Sequence, residues 1–252
     1  MKPVRRTVSR HRFLLLAAST LFAWLVPASL VTASPPQTAD PLDTRLSGTA
    51  RVEALIARVK AAQQEVETLE ASFVQRQESS MLVEPDVSRG VFSYSAPDAV
   101  RWEYSSPKPI SVVIDGEEML TWYRDLGRAE RLKVGRYSNQ VLKYLGASGS
   151  FDTLFDYFRV RVAFPGGAGE PYRLELTPRY DRIARRLSSM TVWIDPVRFL
   201  PVRMRYVAGD GDVTEYEFSD LEVNRGIPAA RFVLDLPASV EVREVDLARE
   251  GG

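Results

Sequence analysis

The sequence predicts an α+β fold in which one long helix precedes a large antiparallel sheet. Three observations carry that prediction. Apolar residues recur at three- and four-residue spacing early in the chain, many short alternating aromatic-rich runs follow, and turn residues rather than helices separate those runs. Neither a GxGxxG nor a GxxxxGK[ST] motif is present, so dinucleotide-binding and P-loop folds are excluded.

The chain opens with Lys2, Arg5, Arg6, Arg10 and Arg12, an almost uninterrupted apolar stretch over 13–26, and the small residues Val31-Thr32-Ala33. This reads as a secretory signal peptide over 1–33, cleaved after Ala33, with Ala28 as the second candidate position. Fourteen helical residues reach roughly 21 Å, short of a hydrocarbon core of about 30 Å, so a retained anchor is the weaker reading. Residues 34–48, with Pro35, Pro36 and Pro41, form a flexible leader. A single domain is expected over 49–247.

In that domain Val52, Leu55, Ile56, Val59, Ala62, Val66 and Leu69 define one amphipathic helix with Thr49 as its N-cap. Strands are expected over 91–95, 100–104, 111–114, 119–124, 172–177, 190–194, 202–207, 213–218 and 240–243. Their punctuation includes Ala96-Pro97-Asp98, Ser106-Pro107, Asp115-Gly116, Asp195-Pro196 and Gly209-Asp210-Gly211. Between them, Val141, Leu142, Tyr144 and Leu145 suggest a short helix. A Gly-rich joint follows, and then a second stripe of Phe151, Leu154, Phe155 and Phe158. These are either core helices or a hinged cap over the sheet.

The composition is that of an ordinary folded protein, with 45% apolar and 26% charged residues among 252. There is no cysteine, and the one histidine, His11, falls in the expected signal peptide. Triads, thiol nucleophiles and nearly all zinc or copper sites are thereby removed, and no catalytic residue, metal site or cofactor is expected. Without the signal, 28 basic residues face 33 acidic ones, a net charge of about −5, so nucleic acid is not an expected partner. A two-carboxylate glycan hydrolase would have to draw on Asp115, Glu117, Glu118, Asp152 and Asp156, all of which read first as solvated surface. Asp210-Gly211-Asp212 reads as a hairpin turn rather than a calcium loop, and the glycine-rich 164–170 as a loop. Arg182, Arg185 and Arg186 read as a solvated cluster or a docking patch.

Alternation places Val100, Trp102 and Tyr104 on one face, with Phe92, Tyr94, Val112, Ile114 and Trp122 expected beside them. Ser93, Ser95, Arg101 and Glu103 point the other way. One helix cannot cover so many strands. The aromatic face is therefore either a packed core or the wall of an apolar ligand cavity.

The run Gly90-Val-Phe-Ser-Tyr-Ser-Ala-Pro97-Asp-Ala-Val-Arg101-Trp102-Glu-Tyr104-Ser-Ser-Pro107, followed by Val113-Ile114-Asp115-Gly116 and Trp122-Tyr123, resembles the LolA-type periplasmic lipoprotein carriers. So do Ala71-Ser72-Phe73-Val74-Gln75, read as the end of the helix, and Arg231-Phe232-Val233-Leu234-Asp235-Leu236-Pro237. The resemblance covers about residues 50–245. It implies an incomplete, half-closed and curved antiparallel β-barrel whose concave apolar face is covered by the long N-terminal helix and a short helical lid. It also implies a periplasmic chaperone, acting as a monomer, that takes acylated lipoproteins from an inner-membrane ABC lipoprotein-release transporter. The cargo would pass to an outer-membrane lipoprotein receptor where one is present. Phe92, Tyr94, Val100, Trp102, Tyr104, Val112, Ile114 and Trp122 would line the cavity, and Phe151, Leu154, Phe155 and Phe158 would belong to the lid. Trp102→Glu is expected to fold and to lose acyl binding. Carriers of this type place an arginine before the proline matching Pro97, where it latches the lid. Here that residue is Ala96, and Arg101 is the candidate substitute. The alternative within the same fold is a carrier or sensor of another envelope lipid or glycolipid.

Overall fold

A computed structural model of the chain describes residues 39–133 and 156–245. The expected signal peptide, most of the expected leader, the expected short helix at 141–145, and Phe151, Leu154 and Phe155 of the expected lid lie outside the described residues.

Helix α1 spans Gly48–Gln64 and buries Ala54, Leu55, Ile56 and Val59. Its N-cap is Ser47, not Thr49: the Ala50 N–H donates to Ser47 Oγ at 3.2 Å, which satisfies one of the first-turn amides. Residues at the end of the expected leader fold back on the helix, where Arg51 Nε donates to the Pro41 carbonyl at 2.8 Å. The helix also ends earlier than its apolar spacing suggests. Val66 and Leu69 continue the three-and-four pattern, but Leu69, Ala71, Phe73 and Gln75 also alternate, and this second period wins. They are the buried positions of β1 (Thr68–Glu78), so 71–75 is strand rather than helix.

The passage from α1 to β1 is held by Asn224. Its Oδ1 accepts the Glu67 and Thr68 N–H groups at 2.8 and 3.2 Å, and its Nδ2 donates to the Glu65 carbonyl at 2.7 Å. Asn224 has φ 56°, a left-handed conformation that asparagine tolerates better than most side chains.

The remaining strands are β2 (Asp86–Ser95), β3 (Ala99–Ser106), β4 (Ile110–Asp115), β5 (Glu118–Tyr123), β6 (Arg128–Lys133), β7 (Phe158–Ala163), β8 (Tyr172–Pro178), β9 (Leu187–Ile194), β10 (Pro201–Ala208), β11 (Val213–Val223) and β12 (Glu241–Val245). They form one open, curved sheet in the order β12-β6-β5-β4-β3-β2-β1-β11-β10-β9-β8-β7. Every pairing is antiparallel except β12 on β6, which is parallel. A short helix α2 (Asp181–Ala184) joins β8 to β9. In that connection Arg182 and Arg186 are solvated, and the Arg182 guanidinium lies over the Tyr180 ring at 5.6 Å.

Two strands were hidden by composition. β6 reads Arg-Ala-Glu-Arg-Leu-Lys and looks solvated on both faces, yet Arg128 lies over the Tyr123 ring at 5.3 Å and the Tyr123 hydroxyl donates to Glu130 at 3.3 Å. In β7, Phe158 is not a lid residue. It begins the strand, fully buried, opposite Pro178, and Val160 and Val162 follow at alternate positions. Asp210-Gly211-Asp212 is the expected hairpin turn between β10 and β11, with Gly211 at φ 94° and the Asp210 carboxylate accepting the Asp212 N–H at 3.2 Å.

The core lies on one face of the sheet, and Leu55, Ile56 and Val59 of α1 join it. Arg51 sits over the Phe164 ring at 3.9 Å and Arg58 over the Phe199 ring at 5.7 Å. These contacts place α1 on the β7–β10 side.

Replacing Asn224 with alanine is expected to lower stability by about 1–3 kcal/mol, read as a lower midpoint in urea unfolding. Asn224→Gly keeps the backbone geometry without the hydrogen bonds, and should recover only the part due to the left-handed conformation.

Candidate functional site

The strand register builds the inner face row by row. Tyr94 pairs with Val100 and Val100 with Ile114, while Phe92 pairs with Trp102 and Trp102 with Val112. Tyr104, two residues beyond Trp102, takes the next inner position. These seven expected wall residues share one face, and none is more than 6% exposed.

Their neighbours across the face are residues that alternation near Trp102 did not reach: Phe73 from β1 and Tyr216 and Phe218 from β11. The Trp102 ring lies 4.9 Å from Phe73, 4.7 Å from Phe92 and 5.1 Å from Tyr216. Three strand spacings separate β3 from β11, roughly 14 Å in a flat sheet, so curvature is what brings these rings together. Gly90 makes the packing possible. A Cβ there would sit 2.8 Å from the Phe73 ring carbons and closer still to the Glu103 carbonyl oxygen, so any side chain would drive Phe73 off Trp102 and Tyr104. The missed residues had a usable signal, since Thr214, Tyr216 and Phe218 alternate with Glu215 and Glu217.

Two expected site residues lie on the opposite, outer face. Trp122 pairs with Ser111 and Ala129, one position out of step with the wall, and the Arg124 guanidinium covers its ring at 4.8 Å. Arg101 is likewise not placed to hold a lid over the inner face. It donates to Glu103 Oε2 at 2.6 Å and to the Arg231 carbonyl at 2.8 Å. It therefore fastens the 3-10 turn Ala229–Phe232 to the back of the sheet. Glu103 also accepts from Arg124 at 2.5 Å and from the Ser111 hydroxyl at 2.8 Å. Partial burial pushes its carboxyl up, but the hydrogen bonds from Arg124, Arg101 and Ser111 outweigh this and hold it below the usual carboxylate range.

The acidic residues considered for catalysis do not converge. Asp115, Glu117 and Glu118 are exposed around the β4–β5 turn, and Asp156 is exposed ahead of β7. Asp152 lies outside the described residues. What the inner face offers chemically is a continuous aromatic and aliphatic surface on a sheet whose two end strands do not pair with each other.

A family model described as "Outer membrane lipoprotein carrier protein LolA" matches residues 64–235. The chain belongs to the LolA family. Two curated relatives agree with this assignment, both called "Outer-membrane lipoprotein carrier protein". One, from Alkalilimnicola ehrlichii, is 28% identical over 191 residues, covering 71% of this chain and 79% of the relative. The other, from Dechloromonas aromatica, is 29% identical over 185 residues, covering 69% and 80%. Among solved structures, an uncharacterized conserved protein from Thermus thermophilus aligns with 77% of this chain and 99% of its own, at TM-score 0.49 and 10% identity. A LolA superfamily protein from Nitrosomonas europaea aligns with 73% and 97%, at TM-score 0.38 and 10% identity. At those scores neither structure adds to what the strand register already shows.

The burial of Trp102 changes what a charge there would do. Trp102→Glu would place a carboxylate against Phe73, Phe92 and Tyr216, so it is a folding defect rather than a selective loss of binding. Trp102→Ala is expected to destabilise by about 3–5 kcal/mol, measured by denaturant unfolding. Because the Glu103 carboxyl is depressed in the folded state, its stabilisation is present above the unfolded carboxylate range and is lost as pH falls through the lower folded value. Glu103→Gln should accordingly flatten the acid limb of a stability-versus-pH curve, most steeply below about pH 4.5.

Proposed function

We propose that this chain is a periplasmic carrier that shields the acyl chains of lipoproteins between the inner and outer membranes, without catalysing a reaction. The observation that carries the reading is the continuous inner surface formed by Phe73, Phe92, Trp102, Tyr216 and Phe218, in a chain of the LolA family. The curated relatives named as lipoprotein carriers support the same cargo.

The physical requirement is clear. Each buried CH₂ holds an acylated protein in its bilayer by about 0.8 kcal/mol, so several long chains do not leave unaided. A carrier must offer comparable apolar surface and still release its load, which favours non-directional contacts over a rigid polar grip. Here the rings pack on one another, so loading exchanges ring-to-ring contacts for ring-to-acyl contacts. Such an exchange can be nearly balanced and therefore reversible. An inner-membrane ABC transporter would supply the cargo and an outer-membrane receptor would accept it.

The test is release of a radiolabelled lipoprotein from spheroplasts. Adding the chain without residues 1–33 should move the label into the soluble fraction as a one-to-one complex. A label that stays with the membranes at every protein concentration would overturn the reading.

A further inference from the structure

The strand pairings gather the turns of the sheet at two ends, and the two ends differ. One end holds the β1–β2 turn over 79–85, the β3–β4 turn at Lys108, the β5–β6 turn and the β8–β9 connection. There Met81 is 65% exposed, Val83 is fully exposed, and Leu126 and Tyr180 are 64% and 46% exposed. Single apolar side chains in water are ordinary on a protein surface. The β1–β2 turn is a different case, because Met81, Leu82 and Val83 are consecutive in a kind of segment where polar residues are the rule.

The hairpin that carries this tip projects. Gln75 pairs with Ser88 and Gln77 with Asp86, beyond Arg89 and Ser106, the last pair between β2 and β3. On its other side β11 supports the stem through the pairing of Glu78 with Val213. Within the turn the Leu82 N–H donates to the Ser79 carbonyl at 3.0 Å and the Met81 N–H to Ser79 Oγ at 3.3 Å. Two amides are thereby matched without water, which lowers the cost of taking the tip into an apolar medium.

Charge distinguishes the ends as well. Lys108, Arg182, Arg185 and Arg186 are exposed at the end that bears the tip, and basic and acidic side chains balance across its turns. At the opposite end Glu65, Glu67, Asp98, Glu117 and Glu170 are exposed against Arg198 and Arg225, with Val197 as a lone exposed aliphatic. An anionic lipid surface repels that acidic end and admits the other. Leu126 and Tyr180 sit on turns three strand positions to either side of the tip. Apolar points spaced in this way suit a fluid interface, whereas a protein partner needs one continuous, closely fitting patch.

We propose that the β1–β2 turn dips into the surface of a phospholipid bilayer, so that the chain touches a membrane with this end of its sheet. Met81, Leu82 and Val83 enter the boundary between headgroups and acyl chains, Glu84 stays among the headgroups, and the arginines of the β8–β9 connection face lipid phosphates. The contact is shallow and reversible, since three aliphatic side chains bury far less than an anchoring helix. It goes beyond the carrier reading and does not require a bound cargo.

The chain has no cysteine, so Val83→Cys and Val197→Cys each give a single site for an environment-sensitive nitrobenzoxadiazole label. Both are mixed, without residues 1–33, with protein-free liposomes of phosphatidylethanolamine and phosphatidylglycerol. The label at 83 should brighten and shift to the blue as lipid is added, and the label at 197 should stay as it is in water. In liposome flotation the unlabelled double variant Met81→Ser/Val83→Ser should bind about tenfold more weakly than the wild-type chain, with an unchanged urea midpoint. A label at 83 that stays unresponsive at every lipid concentration, or that responds only to native membrane vesicles containing proteins, would overturn the lipid contact. So would equal responses at 83 and 197. Lipoprotein release from spheroplasts by a chain whose position 83 ignores liposomes would sink this contact alone and leave the carrier reading standing.

Discussion

Covering one side of a very wide sheet is the constraint on which the rest of this molecule depends. Twelve strands at about 4.8 Å spacing extend some 55 Å, whereas the 17 residues of α1 reach only about 26 Å. The helix cannot cover that surface. Bending supplies the remainder by turning the rings of β2 and β3 towards those of β11, so that Trp102 meets Tyr216 and Phe218 across intervening strands. Among the described residues the sheet thus packs part of its inner face against itself, beside the part that α1 covers. A surface that satisfies itself through ring contacts, instead of through a second rigid layer, can be reopened without dismantling any backbone pairing.

The outer face works in the opposite manner. Directional, charge-assisted contacts centre on Glu103, which gathers Arg101, Arg124 and Ser111, and Arg101 extends the cluster to the carbonyl of Arg231. On the same side Arg231 lies 3.6 Å from Glu70, which accepts from the Ser93 hydroxyl at 3.0 Å. Late sequence is in this way pinned to strands from the first half of the chain. Polar geometry fixes the back of the sheet, and apolar contact leaves the front adaptable.

Much of this was legible in the sequence wherever a single period governed a segment. Phe92, Tyr94, Val100, Trp102 and Tyr104 alternate cleanly, and the structure sets them on one face. The reading failed where two periods coincided or where register mattered. Leu69 satisfies both a helical and a strand spacing, and only the pairing of β1 between β2 and β11 decides between them. Trp122 follows a turn, and the pairing of Asp115 with Glu118 set its parity in a way composition does not record. Phe158 had apolar neighbours at helical intervals upstream and at strand intervals downstream. Arg101 was correctly placed on the outer face, but its partner lies 130 residues away, beyond the reach of any local pattern.

The parallel strand β12 adds one more consequence. Strand β6 would otherwise present a row of free amide and carbonyl groups at the rim of the sheet, a template for pairing with another molecule. At the other rim, β7 carries the exposed Arg159 and Arg161, whose like charges discourage stacking of copies. Loss of the segment from 241 onward would uncover the first rim. A shortened chain would then be prone to self-association through its backbone even with its aromatic interior intact.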